Sequence, residues 1–519
     1  MLDAALENSK RMIAALRRPE AFEHAVRDVR VVETHISWVL LTGETAYKIK
    51  KPVRFGFVDF STLEKRQFCC LEQLRLDSRL APDLYLDVVP ITGTFAAPRF
   101  GGAGEPIEYA LRMKEFPANA LLSDVAGRSE LSPEIVDALA DEIACFHQSI
   151  GIADAASEHG TPEAVWRPVF ECLTPLRTLP ELGPRVDRLE TWCRGEFSAL
   201  EDAISDRKAG GFVRECHGDM HLGNMVLLDR DVLIFDGIEF NASLRWIDVM
   251  SEVAFVVMDL DDRGHVESGW RLLNGYLEQT GDYAGLTVLR FYLVYRALVR
   301  AKVAVLRLGQ LAAGDARRSA CEDECCEYMQ LAERFTQSTH PALMITYGVS
   351  GSGKTVGSEL VVAELGALRI RSDVERRRSS AGNASERYSA QSVNATYDRL
   401  CELAGSILKA GFSVIVDATF LIASQRRRFH ELAAQRGVPF RILRFEAREA
   451  TLLQRVTRRL ERGADASEAG ADVVRAQLTT REPLTERESA LTIRVDTESA
   501  GAMTELVERL RSSLSHGVP

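Results

Sequence analysis

One octapeptide limits this chain more than any other stretch. Residues 348–355 read Gly-Val-Ser-Gly-Ser-Gly-Lys-Thr: a glycine, four residues, then Gly-Lys-Thr. The apolar run Ala-Leu-Met-Ile-Thr-Tyr precedes it, and the helical pattern Val-Gly-Ser-Glu-Leu-Val-Val-Ala-Glu-Leu follows. A strand, a glycine-rich turn and a helix in that order bring successive backbone N–H groups round to one point, at the positive end of the helix dipole. Phosphate oxygens suit such a cradle. Gly348, Ser350, Gly351, Ser352 and Gly353 are its expected main-chain groups. Lys354 is expected to reach the β- and γ-phosphates of ATP, and the Thr355 hydroxyl to hold Mg2+.

Strand and helix patterns alternate from there onward. Leu-Arg-Ile-Arg-Ser, Ser-Val-Ile-Val-Asp-Ala-Thr-Phe and Phe-Arg-Ile-Leu-Arg-Phe-Glu-Ala are each followed by a helical stretch. Such alternation predicts an α/β domain with a parallel sheet over 341–519, after the polar segment 336–341 that ends in proline. No Asn-Lys-x-Asp guanine-reading motif occurs, which disfavours a GTPase. Asp417 is followed by Ala418 rather than a water-activating Glu, so transfer to an acceptor is favoured over motor hydrolysis. Asp373 closes the second strand, placed either to accept a hydroxyl proton or to cap the next helix. Arg455, Arg458, Arg459 and Arg462 share one helix face. That face is either solvated or part of a lid that stabilises a transferring phosphoryl group, with Arg459 the catalytic candidate.

The preceding 335 residues have another character. Residues 26 to about 116 read as mainly strand, with a hairpin turn at Gly43-Glu44 and one helix over about 61–76. Residues 120 to about 335 read as mainly helical. Within them lies His217-Gly218-Asp219-Met220-His221-Leu222-Gly223-Asn224, then a short hairpin over 225–235 that ends at Asp236. Phosphoryl transfer to a hydroxyl needs a carboxylate near that hydroxyl and oxygen ligands for Mg2+. Asp219 and Asn224 lie on one loop and suit both tasks, and Asp236 can complete the metal site. Lys48 ends the strand-like Thr-Ala-Tyr-Lys, and Glu72 lies on the helix after it, a pairing suited to anchoring phosphates. Lys50 rivals Lys48 on the same strand face, and Glu64 rivals Glu72. His217 and His221 lack a third ligand for zinc, and His147 reads as a hydrogen-bonded core histidine.

Residues 20–300 resemble the aminoglycoside phosphotransferase-like kinases, built on the α+β protein-kinase-like fold. The His-Gly-Asp-x-His-x-x-Asn cluster and the following Asp carry the resemblance. It implies that Asp219 is the catalytic base, that Asn224 and Asp236 bind Mg2+, and that Lys48 and Glu72 form the phosphate-anchoring pair. It further implies a nucleotide-covering loop at 34–37, a hinge beside adenine at 113–116, and Asp248 as a brace for the catalytic loop. No Asp-Phe-Gly and no phosphorylatable activation segment occur, which disfavours a regulated protein kinase. Residues 340–480 resemble the polynucleotide-kinase-like and zeta-toxin-like P-loop kinases, on the phosphate loop, Arg-Ser-Asp at 371–373, the 411–420 stretch and the Arg-rich run leading to 465–469. The whole chain resembles bacterial bifunctional fusions of these two halves, with domains expected at 1–335 and 341–519.

Composition separates the remaining alternatives. Lys and Arg number 64 against 75 Asp and Glu, a net charge of −11, which offers a nucleic acid little attraction. An RNA end stays open as acceptor, but a small-molecule hydroxyl is preferred. Ten cysteines without a Cys-x-x-Cys pair read as reduced thiols, with Cys321 and Cys325 one turn apart on a helix. No run approaches the roughly 18 apolar residues that span a bilayer, and residues 1–26 lack the apolar core of an export signal. The expectation is a cytoplasmic phosphotransferase with two nucleotide sites; the alternatives are a P-loop half that is regulatory or a polynucleotide or nucleotide-sugar kinase, and an N-terminal half that is a protein kinase.

Overall fold

The computed structural model describes residues 2–56, 58–312, 314–379, 390–462 and 470–515. The stretch 465–469 and the side chain of Arg462 lie outside the described residues. Two compact units form. One comprises residues 1–263 and 295–328, the other 264–294 and 329–519. Compactness therefore divides the chain differently from the linear boundary expected at 336–341.

The first unit opens with a six-stranded antiparallel sheet. Its spatial order is Arg30–Glu33, Ser37–Leu41, Thr45–Lys50, Glu108–Lys114, Tyr85–Thr94 and Ala97–Phe100. Gly43 turns the second hairpin at φ +102°, a value that strains any side-chain-bearing residue, and the Thr42 N–H donates to the Thr45 carbonyl at 3.0 Å. One face buries Trp38, Leu40, Tyr47, Ile49, Ile91 and Phe100 with the first helix, Leu2–Leu16. The helix Leu63–Asp77 starts where the Thr62 hydroxyl accepts the Lys65 N–H. The helical part contains Pro133–Ser149, capped by Ser132, and the pair Pro162–Leu176 and Gly183–Ala209. The hairpin Met225–Leu228 with Asp231–Ile234 and the helix Val249–Asp262 follow. Cys321 and Cys325 lie on the helix Arg317–Phe335, as their spacing predicts.

The second unit is built on a five-stranded parallel sheet in the order Leu368–Arg371, Val414–Asp417, Leu343–Tyr347, Phe440–Glu446 and Thr492–Asp496. Leu343–Tyr347 is buried at every position, as a central strand covered on both faces must be. The fifth strand, Thr492–Asp496, is an element the sequence patterns did not single out. The segment 264–294 adds the helix Val266–Thr280 to this unit. That helix covers the edge strand Leu368–Arg371. The Arg369 N–H donates to Asn274 Oδ1 at 2.7 Å, and Asn274 Nδ2 donates to the Ala367 carbonyl at 3.4 Å. Glu278 accepts from Arg369 at 3.3 Å and from Arg371 at 2.7 Å. A free strand edge is thereby capped by side chains.

Asn274→Ala is expected to leave the Arg369 N–H without its partner. Hydrogen exchange over 368–371 should quicken about tenfold, the worth of one net hydrogen bond, while the strand Leu343–Tyr347 keeps its protection.

Candidate active sites in the two units

The loop 217–224 of the first unit belongs to no long element, so its backbone polar groups need partners. Side chains supply them. Glu252, fully buried on the helix Val249–Asp262, accepts the His217 N–H at 3.1 Å, the Gly218 N–H at 2.5 Å and His147 Nε2 at 3.1 Å. Arg296 Nη1 donates to the Gly218 carbonyl at 3.1 Å. Asp259 Oδ2 accepts the Leu222 N–H at 2.9 Å. Gly218 stands at φ +89°, and a Cβ there would lie 2.8 Å from the Leu244 carbonyl oxygen. Burial pushes the Glu252 carboxyl up, but the His147 hydrogen bond and charge, with His217, bring it down to about 2.

These contacts aim the candidate residues. Asn224 Nδ2 donates to Asp219 Oδ2 at 3.1 Å and to the Asp219 carbonyl at 3.0 Å. The Asp219 carboxyl, raised by burial, is lowered further by the charge and hydrogen bond of His221 and by His217 and Arg300, and ends below its ordinary value. The Phe235 N–H donates to the Asn224 carbonyl at 2.9 Å, which ties the hairpin end to the loop. His217 reinforces the tie. Its Nδ1 accepts the Asp219 N–H at 3.3 Å, so Nε2 carries the proton and donates to the Phe235 carbonyl at 2.9 Å. Asp236 follows at φ +65°. Lys48 Nζ donates to Asp236 Oδ1. Burial would raise the Asp236 carboxyl, but the charge and hydrogen bond of Lys48 leave it lowered. Lys48 thus pairs with Asp236 and Asn224 with Asp219, and the Phe235 backbone links the two pairs.

Glu72 does not join them, which corrects the expected lysine pairing. Its carboxylate accepts from Arg245 Nη2 at 2.7 Å and Arg75 Nη2 at 2.7 Å. Glu215 accepts from the same two arginines, at 3.3 Å from Arg245 Nε and 2.7 Å from Arg75 Nη2. The helix Leu63–Asp77 is rotated so that Gln73 and Asp77, both buried, face Asp236 instead. Lys50, the rival lysine, is buried against Glu239.

Other expected positions are occupied as follows. Thr34 and Ser37 close a turn through the Thr34 N–H and the Ser37 carbonyl at 2.9 Å, with His35 exposed between them. Met113 is buried, and the Phe116 ring lies 5.1 Å from that of Phe235. Asp248 accepts a bidentate pair from Arg207 at 2.6 and 2.8 Å and caps Val249–Asp262 through the Met250 N–H. The group His147, Cys216 and Glu252 has metal-ligand atoms within 4.8 Å of one another, but hydrogen bonds already engage Glu252.

In the second unit the phosphate loop runs from the central strand into the helix Lys354–Leu365. A Cβ at Gly348 would meet Ser352 Oγ at 2.6 Å and the Phe445 carbonyl oxygen at 2.7 Å; at Gly351 it would meet the Leu452 carbonyl oxygen at 2.8 Å. Only glycine fits either place. Thr355 Oγ1 donates to Asp417 Oδ2 at 3.1 Å, and Ser358 Oγ to the same oxygen at 3.3 Å. Lys354 Nζ donates to the Val349 carbonyl at 2.9 Å. Burial lowers the Lys354 ammonium; Asp417 and Asp373 oppose this, and Arg459 adds to it. Ser352 Oγ is buried with no hydrogen-bond partner among the described residues, and the Ser350 N–H donates to Gln477 Oε1 at 2.8 Å.

Asp373 sits in the first turn of the helix Ser372–Ser379 and accepts from Arg376 Nη1 at 2.9 Å. Among the arginines of the helix Glu449–Arg462, Arg455 is committed to structure, donating to Thr497 Oγ1 at 2.8 Å and to the Gly351 carbonyl at 3.3 Å. Arg458 is exposed, and Arg459 is half-buried.

An AAA-domain family model matches residues 343–484. Over 462 residues the chain is 30% identical to the uncharacterized protein Rv2004c of Mycobacterium tuberculosis, spanning 86% of this chain and 89% of that protein. The uncharacterized protein Mb2027c of Mycobacterium bovis matches to the same extent. This chain belongs to their family. Among solved structures, the amicoumacin kinase hAmiN in complex with AMP-PNP, Ca2+ and Ami is 14% identical, over 64% of this chain and 94% of that one, with a TM-score of 0.39. A gluconokinase from Sinorhizobium meliloti is 19% identical, over 34% of this chain and 93% of that one, with a TM-score of 0.24.

Sequence reading missed Glu252, Asp259, Arg296, Gln73 and Gln477. Glu252 had a signal: it lies one helical turn after Asp248 in an otherwise apolar stretch, where a charge demands a buried partner. Glu252→Gln is expected to destabilise the first unit by roughly 3 kcal/mol at neutral pH, from a fall of the carboxyl value from 4.5 to about 2. A depressed carboxylate stabilises above its unfolded value, so the gap between wild type and variant should shrink as pH falls from 4.5 toward about 2. Denaturant unfolding across that range measures it.

Proposed function

We propose that the chain is an ATP- and Mg2+-dependent phosphotransferase with one nucleotide site in each unit. One observation supports the reading: Lys48, far away in sequence, pairs with Asp236, while the Phe235 N–H beside Asp236 donates to the Asn224 carbonyl and Asn224 donates to Asp219. The hairpin over 225–234 brings Asp236 back beside the loop, and the approach of Lys48 from the sheet is what phosphoryl transfer would use.

The donor set suits a magnesium ion. Asn224 turns its amide nitrogen to Asp219, which leaves Oδ1 for a cation, and Asp236 is held ionised. Asn224 and Asp236 would hold the ion, which when bound neutralises phosphate charge. Lys48 would exchange Asp236 for the α- and β-phosphates of ATP. Asp219, kept as a carboxylate, orients the acceptor hydroxyl and takes its proton. The acceptor oxygen bonds to the γ-phosphorus, the bond from that phosphorus to the β–γ bridging oxygen breaks, and ADP leaves with its electrons. Positioning and charge supply most of the acceleration. A small-molecule hydroxyl is the proposed acceptor, and the proposed compartment is the cytoplasm. Among the described residues no helix is long and apolar enough to cross a membrane.

In the second unit the Ser352 hydroxyl, without a partner among the described residues, and the glycine-only turns suit a phosphate chain, and Thr355 beside Asp417 suits a magnesium ion. Lys354 would bind the β- and γ-phosphates. Asp373 would accept the proton of a second acceptor, and Arg459 would counter the transferring charge. Both lie near enough to Lys354 for their charges to act on it.

Calorimetry with Mg2+ and AMP-PNP should find two bound nucleotides per chain, and one in Lys354→Ala; a single site in wild type would refute the reading. Asp219→Asn in the Lys354→Ala chain should lower transfer about 10²–10⁴-fold with nucleotide affinity nearly unchanged. Mass spectrometry of metabolites incubated with ATP and each single-site variant would show the acceptors. Gln477→Ala should tighten nucleotide binding in the second unit, because Gln477 Oε1 now takes the Ser350 N–H that a phosphate oxygen would use. Titration in a chain carrying both Lys48→Ala and Asp236→Asn, which weakens the first unit's site, checks it.

A further inference from the structure

On the helix Leu63–Asp77, Glu72 is engaged by arginines, and Asp77 accepts the Gly237 N–H at 2.8 Å and Gln73 Nε2 at 3.1 Å. The helix also offers Gln73, fully buried. Gln73 Nε2 donates to Asp236 Oδ1 at 2.8 Å and to Asp77 Oδ2 at 3.1 Å, and Gln73 Oε1 accepts from Lys50 Nζ at 3.0 Å. The amide orientation follows from the partners. An ammonium only donates, so it must face the oxygen; carboxylates accept, so they face the nitrogen.

Resting on the reading proposed above, we infer that Gln73 is the positioning residue for the metal-binding carboxylate Asp236, held in register by the buried pair Lys50 and Glu239. The two lysines of the strand Thr45–Lys50 divide the work. Lys50 is 1% exposed and Glu239 5%, and their ion pair fastens the chain three residues beyond Asp236 to the sheet. That pair is a fixed strut. Lys48 contacts the same Asp236 oxygen as Gln73 does. When Lys48 leaves for phosphate, Gln73 still holds Asp236. A neutral amide does this without adding charge. A glutamate at the same place would set a third carboxylate beside Asp77 and Asp236 and would offer no N–H to either. The arrangement therefore fixes the acid and frees the lysine, where a lysine–glutamate pair would fix the lysine.

The test uses the full chain carrying Lys354→Ala, so that only the first unit's site is read. AMP-PNP affinity is measured by calorimetry with Mg2+ and with EDTA, and the ratio is the magnesium gain. Gln73→Met keeps length and neutrality but loses the donors. Gln73→Glu keeps the shape and exchanges donors for acceptors. Both should lower the gain about tenfold or more, as loss of a hydrogen bond to a metal ligand does, with little change in EDTA. Melting temperature on the same samples separates this from general loosening, which would weaken binding equally in both conditions. A normal gain in either folded variant overturns the inference. Asp236→Asn is the control. If it keeps the gain, or if the Lys354→Ala chain binds no nucleotide, the proposed site in the first unit fails, and the role of Gln73 fails with it. If it loses the gain while the Gln73 variants keep it, the role of Gln73 alone is wrong.

Discussion

A carboxylate shut away from water holds the loop of the first unit in shape. Glu252 takes two consecutive backbone N–H groups, from His217 and Gly218, and the imidazole of His147. An unpaired buried charge is costly, so these donors are what make its burial tolerable. The converse also holds: without the carboxylate the two amides would be buried and unpaired. Asp219 and Asn224 inherit their positions from that exchange, since they sit two and seven residues after His217 on the loop it anchors. His217 carries the constraint on, from the Asp219 N–H to the Phe235 carbonyl next to Asp236.

The two units handle polar groups in opposite ways. In the second, the main chain forms the pocket, and close approach is what counts. Backbone oxygens of Phe445 and Leu452 crowd Gly348 and Gly351, and Arg455 ties the Gly351 carbonyl to Thr497. In the first, side chains form the site, and each must be aimed by another side chain. Such a construction needs buried ion pairs as struts. Lys50 with Glu239, Arg66 with Glu108, and Arg207 with Asp248 are examples. Pairs of this kind add little net stability relative to apolar packing, yet losing one partner is costly, so they enforce one arrangement.

Much was legible in the residues themselves. The strands around Gly43, the helix after Thr62, the hairpin over 225–235 and four of the five parallel strands follow from alternation, caps and turn residues. Local rules sufficed because each of these elements is decided by neighbours in sequence. The strand Thr492–Asp496, at the sheet edge, was not read. The membership of 264–294 in the second unit was not read either. A helical pattern states that one face will be buried, not against which core.

The sequence by itself determined the phosphate-loop turn, whose glycines admit no substitute, and the spacing that sets Asp219, Asn224 and Asp236 on one loop and hairpin. Only the tertiary structure decided which residue of the helix Leu63–Asp77 faces them. Successive helical residues point about 100° apart, so Glu72 and Gln73 look in different directions, and the choice rests on how the helix is rolled. Hydrophobicity did not announce the roll, for Phe68 is 63% exposed and Leu71 50%, while Gln73 and Asp77 are buried. The polar contacts to Lys50, Asp236 and Gly237 set the rotation, and those partners come from parts of the chain that folding alone brings near.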